Sequence, residues 1–320
     1  MTQAITPGRW RGLKMSSTAD NIFTILAFDQ RGSYRKMLPA GTGYEEAISI
    51  KREVVVTLSQ KTSAVLLDNQ YGLGAAMDMR AGCGLLMSYE ESGYSGDSTY
   101  RRLLFDEKWT LEKIKRMGAS AVKLMAYYHP HTGALADEIE DVIATAIEEC
   151  HRYDMPLFLE PMSYSLDTNV SKESAEFART RPQVVRDTAE RLSRLKPDVL
   201  KLEFPVDAAF NTDRAAWRAE CEAVSAVCTV PWVLLSAGVD FEVFAAQAEI
   251  ASSAGASGWL AGRAIWKEVA TMKLADRTKF LNEIAAPRAE KLAAIATKHS
   301  RPWTEFYAPP ASSETWFVGY

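Results

Sequence analysis

The stretch DVLKLE (residues 198–203) decides the fold. In a strand, alternate side chains share a face, so Leu200, Leu202 and the following Phe204 turn one way while Lys201 and Glu203 turn the other. Such a run fits a strand whose outer face meets helices and whose inner face carries chemistry near its carboxyl end. Seven further runs punctuate the chain: FTILAFD (23–29), AVLLD (64–68), GLLMSYE (84–90), AVKLMAY (121–127), PLFLE (156–160), PWVLLS (231–236) and GWLAG (258–262). Near-continuous apolar runs of this length are what a parallel sheet buried on both faces requires.

Amphipathic stretches of helical length lie between them, among them 45–60, 134–152, 181–195, 214–227 and 241–254. Gly118, Pro197 and Gly255 stand just before runs four, six and eight, where a helix must stop. Strand alternating with helix eight times predicts an α/β fold, the (β/α)8 TIM barrel. An open doubly wound sheet is the other solution, but the chain lacks the GxGxxG fingerprint of that fold. A single domain over residues 1–320 is expected, with the barrel at about 20–270 and a C-terminal helical extension at about 274–320. That extension reads as a helix over 277–299 and an aromatic tail. Trp303, Phe306, Tyr307, Trp316, Phe317 and Tyr320 are costly to expose, so they are expected to pack on the barrel or on a second subunit, in a homo-oligomer of two or more chains.

Composition narrows the partners. The chain is 47% hydrophobic and 24% charged with a net charge of −4, which excludes a disordered or collagenous chain and a basic surface for nucleic acid. An anionic substrate must then be met by a few local cations and backbone amides. Cys83, Cys150, Cys221 and Cys228 form no CxxC pair and read as free thiols of a reducing compartment. The N-terminus has no apolar signal core and no run approaches a membrane span, so a soluble cytoplasmic protein without a membrane partner is expected.

Alternation also places the charges. Lys123 shares a face with Ala121 and Met125, Glu160 with Phe158, and Lys201 with Glu203, so the polar set points into the barrel near the carboxyl ends of strands four to six. A satisfied ion cluster is the plain reading of such a triplet, but a purely structural network has no reason to sit at the catalytic end of consecutive strands. A lysine beside another cation and apolar walls has a lowered pKa and presents some neutral amine near neutral pH. That amine attacks a carbonyl, a neighbouring carboxylate moves the protons, and the protonated imine accepts electrons when a C–C bond breaks.

Two loop groups complete the pattern. Ser236-Ala237-Gly238 after run seven and Gly262-Arg263 after run eight lie where barrels commonly bind phosphate through backbone N–H groups, with Arg263 adding a forked cation. Asp29, Gln30 and Arg31 follow run one. There Asp29 is placed to hold a lysine or a substrate hydroxyl, and Arg31 to reach a second anionic group. Asp68, Glu90 and Glu91 are further strand-end acids with no role assigned by pattern alone.

The segments ILAFDQRGS (25–33), LLDNQYG (66–72), GLLMSYEESGY (84–94), AVKLMAYY (121–128), FLEP (158–161), DVLKLEFPV (198–206), LLSAGV (234–239) and LAGRAIW (260–266) resemble the class I tagatose-1,6-bisphosphate aldolase family. The resemblance implies a TIM barrel that cleaves a ketose 1,6-bisphosphate to dihydroxyacetone phosphate and glyceraldehyde 3-phosphate, with no cofactor and no metal. It puts the Schiff-base lysine at Lys201, a second active-site lysine at Lys123, the acid/base at Glu160 and the strand-one aspartate at Asp29. Ser236, Gly238 and Arg263 become phosphate ligands. A sister branch, the sulfofructose-1-phosphate aldolases, is similar over strands six to eight and in IAAPRAEKLAAIA (284–296), which implies sulfolactaldehyde as the alternative second product. Two other functions stay open. One is a metal-dependent aldolase or isomerase using His129 and His131, and the other is a non-catalytic sugar-phosphate-binding regulator.

Overall fold

Each of the eight apolar runs forms a short parallel strand of a closed barrel. In order they are Phe23–Phe28, Ala64–Leu67, Gly84–Ser88, Ala121–Tyr127, Leu157–Met162, Val199–Leu202, Trp232–Leu235 and Gly258–Ala261. The computed structural model describes residues 2–91 and 101–320, so residues 92–94 of GLLMSYEESGY lie outside the described residues. Closure comes from the first strand, which pairs with the second (Ile25 opposite Ala64) and with the eighth (Phe23 opposite Gly258).

Two apolar layers result. Leu26, Phe28, Val65, Leu67, Val122, Leu124, Leu200 and Leu202 turn outward against the helices. Phe23, Ile25, Leu66, Leu86, Ala121, Phe158, Val199, Val233 and Leu260 fill the lower lumen, where the rings of Phe23 and Phe158 meet edge to face at 5.2 Å. The lower lumen is thus packed with apolar side chains, and the mouth is polar.

The helices follow the expected stretches with instructive shifts. Helices Ala134–Arg152 and Arg214–Val227 match the amphipathic pattern. The helix expected at 181–195 instead runs Ala175–Ser193 and carries Pro182 inside it. Its start signal is Ser174, whose hydroxyl accepts the Phe177 N–H at 3.2 Å. The helix expected over 277–299 is interrupted. It consists of Leu274–Phe280, a π-helical turn Leu281–Ala285 and Ala286–His299. Pro287 supplies no N–H and crowds the carbonyl four residues back, so the chain opens there.

The floor of the barrel holds an element that the sequence pattern did not announce. Helix Pro7–Ser16 crosses it, and strand Gln3–Ala4 pairs with Tyr307–Ala308 from the tail. Arg9 meets Asp198 at 2.7 Å, and the Tyr307 hydroxyl donates to the Asp198 carbonyl at 2.9 Å. Trp303 is fully buried there against Trp10. Of the aromatic tail, Trp303 and Tyr307 are buried on the barrel and Phe306 is half-buried, while Trp316, Phe317 and Tyr320 are exposed in the single chain. Among the described residues no helix is long and apolar enough to cross a membrane.

Candidate active site

The mouth of the barrel gathers four of the expected side chains, with the carboxylates of Asp29 and Glu160 set around the ammonium groups of Lys123 and Lys201. Glu160 on the fifth strand bridges them: Oε1 lies 2.8 Å from Lys201 Nζ and Oε2 lies 2.9 Å from Lys123 Nζ. Lys123 also meets Asp29 Oδ2 at 2.7 Å and Glu90 Oε1 at 3.0 Å. All five side chains are buried. The strands place them because adjacent barrel strands are staggered: Met125 is opposite Glu160, while Lys123 is opposite Ser88 and Phe158.

Electrostatics fixes the charge of two of these groups. Burial alone pushes the Asp29 carboxyl upward, but Lys123, Lys201 and Arg31 outweigh it and hold the group well below the usual carboxylate range. Burial likewise pushes Lys123 down, and Asp29, Glu160 and Glu90 together hold it well above the ordinary lysine value. Lys123 is therefore a permanent cation. It sits on the other oxygen of the carboxylate that touches Lys201.

Glu90 is the residue whose place the sequence reading missed. Besides Lys123, it accepts the Met125 N–H at 3.0 Å and Arg31 Nη2 at 3.3 Å, and its own carbonyl accepts Arg31 Nη2 at 3.0 Å. The signal was present in GLLMSYE, where Leu86, Ser88 and Glu90 fall on one face by alternation. Arg31 is buried and turned toward Glu90, so one of its nitrogens is already committed. Asp29 Oδ1, Gln30 Oε1 and the Ser88 hydroxyl are buried with no partner among the described residues. Buried polar atoms are seldom left so, and these three suit the hydroxyl groups of a bound sugar.

Glu203, read as facing the lumen beside Lys201, belongs to a different group. It accepts the Ser163 N–H at 2.9 Å and Oγ at 2.5 Å, and Lys172 Nζ lies 2.6 Å away. Burial raises its carboxyl, but Lys172, Arg181 and Ser163 hold it down at about 2. Glu91 is exposed, and its backbone N–H bonds the Leu104 carbonyl.

The loops after strands seven and eight meet as well. The Gly262 N–H points at Ser236 Oγ at 3.4 Å. Ala237 and Gly238 take consecutive left-handed conformations (φ 48° and 85°), rare for alanine, and such strain tends to collect at ligand sites. A side chain at Gly238 would start 3.2 Å from the Arg263 guanidinium carbon, and one at Gly262 would start 2.3 Å from the Ala27 carbonyl. Both glycines thus allow close approach. Arg263 is half-buried and makes no side-chain hydrogen bond or ion pair among the described residues. A cavity of about 430 Å³ reaches across the mouth from Tyr127 and Met162 past Glu203 to Ala237 and Arg263.

His129 and His131 follow strand four but lead elsewhere. The His131 N–H bonds His129 Nδ1 at 3.2 Å, and His131 Nε2 lies 3.0 Å from Asp187. Burial holds His129 down at about 4, a neutral ring. Among the described residues no three His, Cys, Asp or Glu side chains gather in a metal-binding group. The separate cavity beside these histidines, about 470 Å³, is walled by Leu166, Val170, Phe177 and Val184 and contains no lysine.

Fold and site together define a class: a barrel enzyme whose buried amines and carboxylates share the catalytic end. Residues 23–268 match the family described as DeoC/LacD family aldolase, so the chain belongs to that family and is an aldolase, a lyase. It is 35% identical to the tagatose 1,6-diphosphate aldolase of Listeria monocytogenes over 82% of this chain and 83% of that one. It is 31% identical to the tagatose 1,6-diphosphate aldolase of Streptococcus agalactiae over 94% of this chain and 99% of that one. Among solved structures, an archaeal fructose 1,6-bisphosphate aldolase superposes with a TM-score of 0.60 at 19% identity, covering 90% of this chain and 98% of that chain. That last likeness speaks for the fold.

Proposed function

We propose that this aldolase works through a Schiff base on Lys201 and cleaves a ketose 1,6-bisphosphate of the tagatose type. One observation carries the reading: Glu160 touches Lys201 and Lys123 with its two oxygens. Glu160 takes a proton from Lys201, and the free amine adds to the C2 carbonyl. The carbinolamine loses its hydroxyl as water with a proton from Glu160, leaving a protonated imine. The same carboxylate then accepts the C4 hydroxyl proton. The C3–C4 electron pair moves into the imine, and the aldehyde, glyceraldehyde 3-phosphate, departs. Glu160 returns that proton to the enamine at C3, and hydrolysis of the imine by water releases dihydroxyacetone phosphate and regenerates Lys201. No electron is gained or lost, so the residues suffice without a cofactor.

Lys123 holds the developing alkoxide, with Asp29 and Glu90 fixing its ammonium. The C1 phosphate lies on the backbone of Ser236, Ala237, Gly238 and Gly262 with the guanidinium of Arg263. Asp29 Oδ1 and Gln30 accept sugar hydroxyls, and Arg31 faces the far end with the donors that Glu90 leaves it. The names of the curated relatives favour phosphate over sulfonate there. The chain works in the cytoplasm as a homo-oligomer, the exposed Trp316, Phe317 and Tyr320 supplying apolar contact. Steady-state cleavage of a panel of phosphorylated and sulfonated ketoses tests the substrate. Tagatose 1,6-bisphosphate is expected to give the highest kcat/KM, and preference for a sulfonated ketose would overturn the assignment.

A further inference from the structure

Lys51 takes no part in the chemistry just described, yet its side chain is fully buried. It stands on helix Tyr44–Leu58 and sends its ammonium between the ends of the first two strands. There it donates to the Phe28 carbonyl at 2.7 Å, to the Gln30 carbonyl at 3.2 Å and to Asp68 Oδ2. Three acceptors satisfy the three ammonium hydrogens. The two carbonyls belong to the residues on either side of Asp29. Asp68 uses its other oxygen on the N–H groups of Gln70 and Tyr71, at 2.8 and 2.7 Å, so the pair ties the first-strand turn to the second.

Stability alone is a weak reason for such a pair, since apolar residues of similar volume commonly do as well. What the pair offers that they cannot is a fixed backbone on both sides of one carboxylate. Asp29 has two tasks that need such fixing: Oδ2 holds Lys123 at 2.7 Å, and Oδ1 has no partner among the described residues. We infer that Lys51 is a positioning residue for the aldol step, setting through the Phe28 and Gln30 carbonyls the orientation of Asp29 and hence of Lys123. The inference rests on the Schiff-base reading of Lys201.

The test pairs Lys51→Met, which keeps the stem against the rings of Phe28 and Tyr34, with Asp68→Asn, which keeps the turn-capping oxygen and strands no carboxylate. Cooperative melting and borohydride trapping of Lys201 with dihydroxyacetone phosphate are expected to persist. Because small misplacements are costly in catalysis, kcat is expected to fall roughly 100-fold, with KM changed by no more than about twofold. In an Asp29→Asn background the same pair should cost no more than about a further twofold, because groups acting through one another are not additive. Lys51→Gln, which retains amide donors, is expected to lie between and gives the comparison if the paired variant does not fold. Unchanged kcat in the trapped variant, or equal losses with and without the Asp29 carboxylate, overturns the inference alone. Absence of any adduct in the unaltered enzyme overturns the Schiff-base reading and this inference with it.

Discussion

Lys123 shows how much charge this barrel holds in its mouth: one ammonium carries contacts from Asp29, Glu90 and Glu160. Replacing it by methionine leaves three buried carboxylates without their common counter-ion. Lys123→Met is expected to lower stability by about 3–5 kcal/mol and kcat by at least roughly 100-fold, measured by denaturant titration and steady-state cleavage. Glu203 gives a pH signature of its own. Its folded pKa lies at about 2 against an ordinary 4.5. Its contribution is therefore fully present above about 4.5 and is lost as pH falls from there toward about 2, and it amounts to roughly 3 kcal/mol. Glu203→Gln is expected to flatten the fall of Tm across that window, and an unchanged slope would show that the group does not matter to acid stability. At this scale the lysines and Glu160 were legible because alternation assigns them a face. The grip of Glu90 on Lys123 was not, because it depends on stagger between strands that pair only in the closed barrel.

The loops after strands seven and eight are an element-scale device, the backbone N–H of Gly262 in one donating to the side-chain hydroxyl of Ser236 in the other. Arg263→Ala removes a cation without a side-chain partner among the described residues and is expected to raise KM for the phosphorylated sugar by at least roughly tenfold, the loss of a charged hydrogen bond. Gly238→Ala is expected to raise KM as well, because the new methyl starts 3.2 Å from the Arg263 guanidinium at a φ of 85°. Equal KM in both variants and the unaltered enzyme would remove phosphate from this corner. The strands themselves were readable as apolar runs, and four helices, Tyr44–Leu58, Ala134–Arg152, Arg214–Val227 and Phe241–Ser253, as amphipathic ones. Helix ends were less so. The helix expected from 181 begins at Ala175 after its cap Ser174, and Pro287 opens a π-turn where an uninterrupted amphipathic pattern promised one helix.

Across the whole molecule, eight repeats of strand and helix carried the barrel in the sequence, and closure followed from the pairing of its first and last strands. The floor was hidden because its parts come from both chain ends: Arg9 finds Asp198, and Trp303 donates its indole N–H to Ser17. No local pattern announces contacts of that separation. The far tail behaves differently, leaving Trp316, Phe317 and Tyr320 exposed. Deleting residues 311–320 is expected to leave Tm nearly unchanged and to shift the sedimentation coefficient toward that of a monomer. An unaltered assembly would place the subunit contact elsewhere.

Lys201 is the residue on which the chemistry turns, and it can be tested directly. The enzyme is incubated with dihydroxyacetone phosphate, reduced with borohydride and digested, and its peptides are weighed. The account predicts one adduct, on the peptide containing Lys201, absent from Lys201→Ala, a variant that melts cooperatively and does not turn over. No adduct, or an adduct on Lys123 instead, would contradict it.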